Sequence, residues 1–313
     1  MIRHFFTTKE YVSQMKAAQF SRFGGPEVLE IVDLPDPHPG PGEVRIRVRA
    51  AGVNASDWKK RQGLMDEELP QTLGHEAAGL VDEIGEDVSG VAIGDRVFGA
   101  SPYGAAQAEF AVLSLWAPIP GTMDDAEAAA VPAAAETAAR VLDQLGVTDG
   151  STVLINGASG SVGSAAVQFA THRGARVIGT GSSLSHDALR GLGAEPVAYG
   201  EGLSERVRAI APSGVDRALD VAGKGLAELI DLAGGPEYVV TVADFLGAQS
   251  YGVRFSRGDT GRADYALAQA AGMMATGDFA IAVGATFPLA EIREAHRTGE
   301  SGAVRGKLVL LLD

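Results

Sequence analysis

The chain has 313 residues, enough for about two domains at roughly 100–200 residues each, with a core that needs no disulfide staples. With 46% hydrophobic and 21% charged residues, and no apolar run near the roughly 18 residues of a membrane span, disorder and membrane spanning are excluded for the bulk of the chain. A net charge of −14 argues against nucleic acid or an anionic membrane as partner, and the absence of cysteine removes disulfides, thiolate nucleophiles, cysteine zinc sites and iron–sulfur clusters. A small-molecule ligand and a cytoplasmic setting are therefore expected.

Residues 1–14 lack the apolar stretch of a secretory signal and precede Met15-Lys16-Ala17-Ala18, which reads as a natural start; they are taken as an N-terminal extension. From Lys16 to about Leu115 the chain runs in short alternating stretches such as Val44-Arg45-Ile46-Arg47-Val48, broken by Gly24-Gly25-Pro26 and a Pro/Gly cluster at 35–42. Period-two alternation with frequent turns predicts a mostly antiparallel β domain. Around 124–146 the texture turns Ala-rich and helical, marking the passage to a second domain. After Gly150, apolar strands are predicted at Thr152–Asn156, Arg176–Thr180, Pro196–Tyr199, Arg217–Val221, Tyr238–Ala243 and Gly252–Phe255, with amphipathic stretches between them. This alternation implies parallel strands covered by helices, a doubly wound α/β sheet. A long helix near 262–277, a β/α segment around Leu289–His296 and a final strand at Lys307–Leu312 are expected to rejoin the first domain. The division is thus 15–135 completed by 257–313, and 136–256.

The first strand of the second domain runs into Gly157-Ala158-Ser159-Gly160-Ser161-Val162-Gly163 and then into a helix. That context makes a glycine turn a candidate pyrophosphate site: Gly160 lets the backbone approach, Gly163 lets the helix pack on the strand, and the helix N-terminus offers N–H groups. Ala158 replaces the first glycine of G-x-G-x-x-G. An NAD site usually carries an acidic residue at the end of the second strand to hold the ribose, but Gly163 to His186 contains no carboxylate. Thr180, Ser182, Ser183 and His186 could instead donate to a 2′-phosphate, so NADP(H) is the expected cofactor. Val221, Ala222, Val242 and Ala243, at the ends of later strands, complete the expected dinucleotide contacts.

Together with Phe23-Gly24-Gly25-Pro26, Gly52-Val53-Asn54-Ala55-Ser56-Asp57, Gly74-His75-Glu76, Gly94-Asp95-Arg96-Val97 and Gly306-Lys307-Leu308-Val309-Leu310, this turn makes residues 15–313 resemble the medium-chain dehydrogenases/reductases, in the zinc-free quinone oxidoreductase (zeta-crystallin-like) branch. The resemblance implies a GroES-like, mostly-β catalytic domain joined to a Rossmann NADP-binding domain, an α/β protein working as a homodimer. In zinc-dependent alcohol dehydrogenases of this superfamily a Cys ligand follows Gly-Val and the Gly-His-Glu histidine is a second ligand. Here Asn54 and His75 occupy those places and no cysteine exists, too few ligands for a catalytic metal, so no metal is expected. His75 is expected as a hydrogen-bonded wall, Glu76 as the partner of a backbone group or an Arg, and Asp57 with Arg61 as an ion pair or cap. Asn54 is the expected catalytic contact to the substrate carbonyl or nicotinamide ribose. Tyr103 is a second catalytic candidate, since Lys59 and Met65 stand where better-known quinone reductases have tyrosines and the proton donor is unassigned. Thr137 and Lys307 match family positions near the cofactor. The implied reaction is NADPH-dependent hydride transfer to a quinone or α,β-unsaturated carbonyl, with an enoyl-thioester (polyketide-type) reductase and a non-catalytic NADPH-binding sensor or scaffold as alternatives.

Overall fold

The computed structural model describes residues 13–121, 123–258 and 261–312. Residues 1–12 of the expected extension lie outside the described residues, and Gln14 already belongs to the first strand.

The elements, in chain order, begin with β1 (Gln14–Phe20), β2 (Glu30–Pro35), β3 (Val44–Val53), α1 (Ala55–Arg61), β4 (Gln71–Thr72), β5 (Glu76–Ile84), β6 (Arg96–Ala100), β7 (Phe110–Leu113) and β8 (Leu115–Pro118). Two short and long Ala-rich helices follow, α2 (Asp125–Ala129) and α3 (Pro132–Gln144). The β/α alternation then runs β9 (Thr152–Asn156), α4 (Ser161–His172), β10 (Arg176–Gly181), α5 (His186–Gly191), β11 (Ala194–Ala198), α6 (Leu203–Ile210), β12 (Arg217–Asp220), α7 (Leu226–Ala233), β13 (Val239–Thr241), α8 (Phe245–Tyr251) and β14 (Arg254–Phe255). The chain closes with α9 (Tyr265–Thr276), β15 (Val283–Pro288), α10 (Ile292–Ser301) and β16 (Lys307–Leu311).

Alternating burial in β1 and β3 turns one face of each strand inward, as the period-two pattern predicts. The first unit holds a small sheet ordered β2-β1-β4 and a larger one ordered β15-β16-β3-β5-β6-β8, with β7 also on β3. The tail rejoins this sheet through β16, whose Leu308 lies opposite Val53. Of the stretch 257–313, it is β15, α10 and β16 that complete the antiparallel unit. The α9 segment serves the other layer, where its buried residues share a core with α3 and α4; Phe279, just beyond it, packs on Phe169 at a ring separation of 4.9 Å.

The second sheet is parallel throughout, ordered β11-β10-β9-β12-β13-β14. Numbered within its own unit this is 3-2-1-4-5-6, the doubly wound arrangement in which the order reverses beside the first strand and leaves a crevice at the carboxyl ends of the strands. The expected mostly-β unit plus Rossmann sheet is what the chain forms, with β11 shifted two residues toward the N-terminus of its predicted span. No described helix is long and apolar enough to cross a membrane.

Helix α1 is fastened to α10 by a buried polar cluster. Arg61 donates through Nε to Gly24 O at 3.0 Å, contacts His296 Nδ1 at 3.1 Å and pairs with Glu300. Arg61 therefore pairs across the fold with Glu300, and the expected Asp57–Arg61 ion pair is replaced by this arrangement. Burial, reinforced by the Arg61 charge, pushes the His296 pKa down to about 3. An unfolded histidine takes up its proton near pH 6.5, so between about 6.5 and 3 the unfolded chain binds more protons and stability is lost as the pH is lowered, by up to about 1.4 kcal/mol per unit. His296→Asn, which keeps an acceptor for Arg61, should flatten this slope; thermal unfolding of both proteins from pH 7 to pH 4 measures it.

Candidate active site

β3 ends at Val53, and Asn54 begins α1 in extended conformation, half-buried at the joint. Its side-chain Nδ2 donates to Glu76 Oε1 at 2.7 Å and Oδ1 accepts from Lys307 Nζ at 2.5 Å. Lys307 has only protons to give and the Glu76 carboxylate only lone pairs, so these two neighbours fix which end of the amide faces which. One Nδ2 hydrogen remains unassigned in this geometry.

Glu76 opens β5 and is fully buried. Oε1 also pairs with Lys307, and Oε2 accepts the backbone N–H of Ala133 at 2.7 Å, one of the first-turn donors of α3 that no helix carbonyl can reach. Glu76 thus has the expected backbone partner, while its cation is Lys307 where an Arg was expected. The carboxylate fits because Gly52 has no side chain: a Cβ there would lie 2.7 Å from Glu76 Cδ. Lys307, expected as a cofactor contact, is 4% exposed and commits its ammonium to Glu76 and Asn54.

Asp57, on the first turn of α1, is fully buried and accepts the Asn54 N–H at 2.8 Å and Gln107 Nε2 at 3.1 Å through Oδ2. It is a cap, as one of its two expected readings had it. Burial raises the Asp57 pKa against the pull of the neighbouring His75, and burial lowers that of His75. Among the described residues the His75 ring forms no hydrogen bond, so the expected bonded wall is not what the structure places there. Tyr103 is 75% exposed, and the nearby Glu43 carboxylate raises its pKa.

At the parallel sheet, Gly160 caps the N-terminus of α4 in extended conformation. A Cβ on Gly163 would lie 2.7 Å from Ala158 Cα, so this position admits only glycine if helix and turn are to stay packed. A Cβ on Gly160 would meet only Gly157 O, at 3.5 Å, which leaves space above the turn. Ser159 and Ser161 flank it, Val162 begins the helix, and Val221 packs under Gly157. Beyond β10, Ser182 is half-buried with Oγ 3.2 Å from Ser185 Oγ, Ser183 is exposed, and His186 carries a buried Nε2 with no partner among the described residues. An open cradle at a helix N-terminus fits a nicotinamide dinucleotide.

Thr180 departs from expectation. Its hydroxyl donates to Asn156 Oδ1 at 2.8 Å and accepts the Gly157 N–H at 2.9 Å, and the residue is buried, so it pins the glycine turn and has no donor left for a 2′-phosphate. The bonds continue along the strand ends. Asn156 Nδ2 donates to Asp220 Oδ1 at 3.0 Å, and Thr241 Oγ1 donates to Asp220 Oδ2 at 2.7 Å while accepting from Ala243 and Asp244 N–H at 3.1 Å each. Asn156, Asp220 and Thr241 were not singled out from sequence, although each is the polar residue that closes an apolar strand. Thr137 lies half-buried on α3 with Oγ1 3.4 Å from Arg140, which is itself held by Glu136 and Ser256. Ala222, Val242 and Ala243 stand on the loops after β12 and β13, partly or fully exposed.

Residues 40–138 match the alcohol dehydrogenase GroES-like domain and residues 192–310 the zinc-binding dehydrogenase family. The chain is 33% identical to the quinone oxidoreductase of Lama guanicoe over 95% of its length and 98% of that protein. It is also 42% identical over 147 residues, 47% of this chain, to the spectinabilin polyketide synthase system protein NorB of Streptomyces orinoci, of which the match spans 7%. Among solved structures, the quinone oxidoreductase from Coxiella burnetii superposes with a TM-score of 0.82 at 30% identity, covering 96% of this chain and 100% of that one. Mycobacterial Rv1454c complexed with NADPH gives 0.79 at 28% identity over 95% and 100%, and an NAD-dependent alcohol dehydrogenase gives 0.81 at 31% identity over 96% and 100%. The chain belongs to the medium-chain dehydrogenase/reductase superfamily, in its zinc-free quinone oxidoreductase branch.

The zinc implied by the name of the second family does not fit these residues. The first ligand position is Asn54, Glu76 is occupied by an ammonium, an amide and a backbone N–H, and among the described residues no three His, Asp or Glu side chains converge. A divalent cation at this place would also face the charge of Lys307. Removing one partner of the buried pair strands the other: Glu76→Ala should destabilise the fold by about 3–5 kcal/mol, and Glu76→Leu combined with Lys307→Met by less than Glu76→Ala alone. Urea unfolding of the variants compares them.

Proposed function

We propose that the protein is an NADPH-dependent, zinc-independent reductase that delivers hydride to quinones or α,β-unsaturated carbonyls. The observation that carries this reading is the strand–turn–helix at 152–172, open above Gly160, at the point where the strand order reverses and with no carboxylate between Gly163 and His186.

A nicotinamide dinucleotide, when bound, supplies the hydride. The turn at 157–163 and the N–H groups of α4 bind the pyrophosphate, with the helix dipole adding attraction. Ser182, Ser183 and His186 hold the 2′-phosphate. Val221, Ala222, Val242, Ala243 and Thr137 bound the nicotinamide half. Asn54 points its remaining N–H at the substrate carbonyl or the nicotinamide ribose, held by Glu76 and Lys307 so that it is a donor there. A preorganised donor facing developing negative charge on a carbonyl oxygen lowers the barrier without reorganising during the reaction.

An enoyl-thioester acceptor is the second reading, favoured by the identity to segments of polyketide synthases. The homodimer expectation rests on the family resemblance, and the edge strand β14, with the exposed Leu246 and Tyr251 nearby, is the candidate contact.

Purified protein is assayed for NADPH and NADH oxidation against quinones, enones, alkenals and trans-2-enoyl thioesters, with metal content measured on the same sample. The expected result is turnover without zinc and a kcat/KM at least about tenfold higher with NADPH, and the class of acceptor used decides between the two readings. No oxidation with any acceptor sinks both. Asn54→Ala should lower kcat by on the order of 10²-fold with the NADPH KM little changed. Gly160→Ala should keep wild-type thermal stability yet weaken NADPH binding, whereas Gly163→Ala should lose stability as well; melting curves with and without NADPH separate the two.

A further inference from the structure

Four strands of the parallel sheet carry, at or next to their carboxyl ends, polar side chains that bond to one another: Thr180 on β10, Asn156 on β9, Asp220 on β12 and Thr241 on β13. The bonds between these side chains run toward Asp220, and Asn156 Nδ2 also donates to Lys224 O at 2.9 Å. From one side, the Gly157 N–H donates to the Thr180 hydroxyl, which donates to Asn156, whose Nδ2 donates to Asp220 Oδ1. From the other side, the N–H groups of Ala243 and Asp244 donate to the Thr241 hydroxyl, which donates to Asp220 Oδ2. Oδ1 further accepts the N–H groups of Ala222 and Gly223 at 3.1 and 3.0 Å.

Asp220 is 0% exposed and belongs to none of the ion pairs among the described residues. A buried carboxylate without a counter-charge is costly, and here donors alone satisfy it. An acceptor-only group at the centre leaves each neighbour a single orientation, and aligned bonds in a low-dielectric interior reinforce one another. The two arms and the direct bonds reach the first backbone N–H groups of three loops: 157–163, 221–225 and 242–244. Those loops carry most of the contacts assigned above to the dinucleotide.

We propose that Asp220 is the positioning residue of the dinucleotide site, the single acceptor that holds the three cofactor-binding loops in register from beneath. The inference rests on the dinucleotide reading of the crevice. It follows that an isosteric amide fails: Asp220→Asn must aim an NH₂ group either at Asn156 Nδ2 and two backbone N–H groups or at the Thr241 hydroxyl, whose lone pairs are already taken by two N–H groups.

The test is NADPH titration by fluorescence, with acceptor kinetics at saturating NADPH and melting curves, on wild type, Asp220→Asn, Thr241→Val and Thr241→Ser. The expected result is a dissociation constant for NADPH raised about tenfold or more in Asp220→Asn, with the acceptor KM within about twofold of wild type. Thr241→Val weakens NADPH binding by a smaller factor, and Thr241→Ser, which retains the hydroxyl, regains the lost affinity. Should Asp220→Asn not fold, the Thr241 pair still decides. A folded Asp220→Asn with wild-type affinity, or Thr241 variants whose affinity ignores the hydroxyl, overturns the inference while leaving the dinucleotide reading intact. Failure of the wild type to bind NADPH or NADH removes the dinucleotide reading itself.

Discussion

The buried carboxylate of Glu76 is the constraint around which both units are arranged. A charge removed from water is tolerable only when paired and hydrogen-bonded, and the three partners of Glu76 come from three distant parts of the chain: Asn54 at the joint of β3 and α1, Lys307 at the start of β16, and Ala133 at the start of α3. The first two tie the closing strand to the centre of the antiparallel sheet. The third reaches the Ala-rich helix whose core is shared with α4 and α9. Satisfying one carboxylate thus ties the first turn of α3 to β5 and β16, and fixes the amide of Asn54 at the same place.

The parallel sheet meets an equivalent demand with a neutral set of donors. Four of its strands, β9, β10, β12 and β13, carry a polar side chain at or next to their carboxyl end, so the edge that faces the crevice is a hydrogen-bonded row where open water or unsatisfied backbone would otherwise stand. Burial of the strand interiors and saturation of the edge are separate requirements, and one short segment such as Val153-Leu154-Ile155-Asn156 fulfils both. The glycine turn then sits on a rigid base, and Gly163 lets α4 lie against it. Preorganisation of this sort spares the loops an entropic penalty when a ligand binds.

The absence of cysteine takes its meaning from these two centres. Where zinc-dependent relatives of this superfamily hold a metal, this chain brings an ammonium against the carboxylate next to the ligand position and turns the former ligand site into an oriented amide. Positive charge is retained at the place, now supplied by a side chain from the last strand.

Periodicity and turn chemistry were enough to read the fold: alternation for the β unit, apolar runs separated by amphipathic stretches for the parallel sheet, and Gly-rich punctuation for the nucleotide turn are local properties of the chain. The roles of Asn54, Gly160 and Gly163 as candidates were legible for the same reason, since each sits in a short motif. Pairing was not legible. Lys307 is 253 residues from Asn54, and no pattern within either segment announces that its ammonium is spent on Glu76 and Asn54. Thr180 reads in sequence as a free hydroxyl, and only its depth beneath Gly157 and beside Asn156 shows that both of its hydrogen-bonding capacities are used. Arg61 reads as a partner for the Asp four residues before it and finds Glu300 on α10. Local structure follows from the chain's own spacing, whereas the partner of a buried polar group is whichever group the packed fold brings within about 3 Å of it, and that is decided by contacts between segments far apart along the chain.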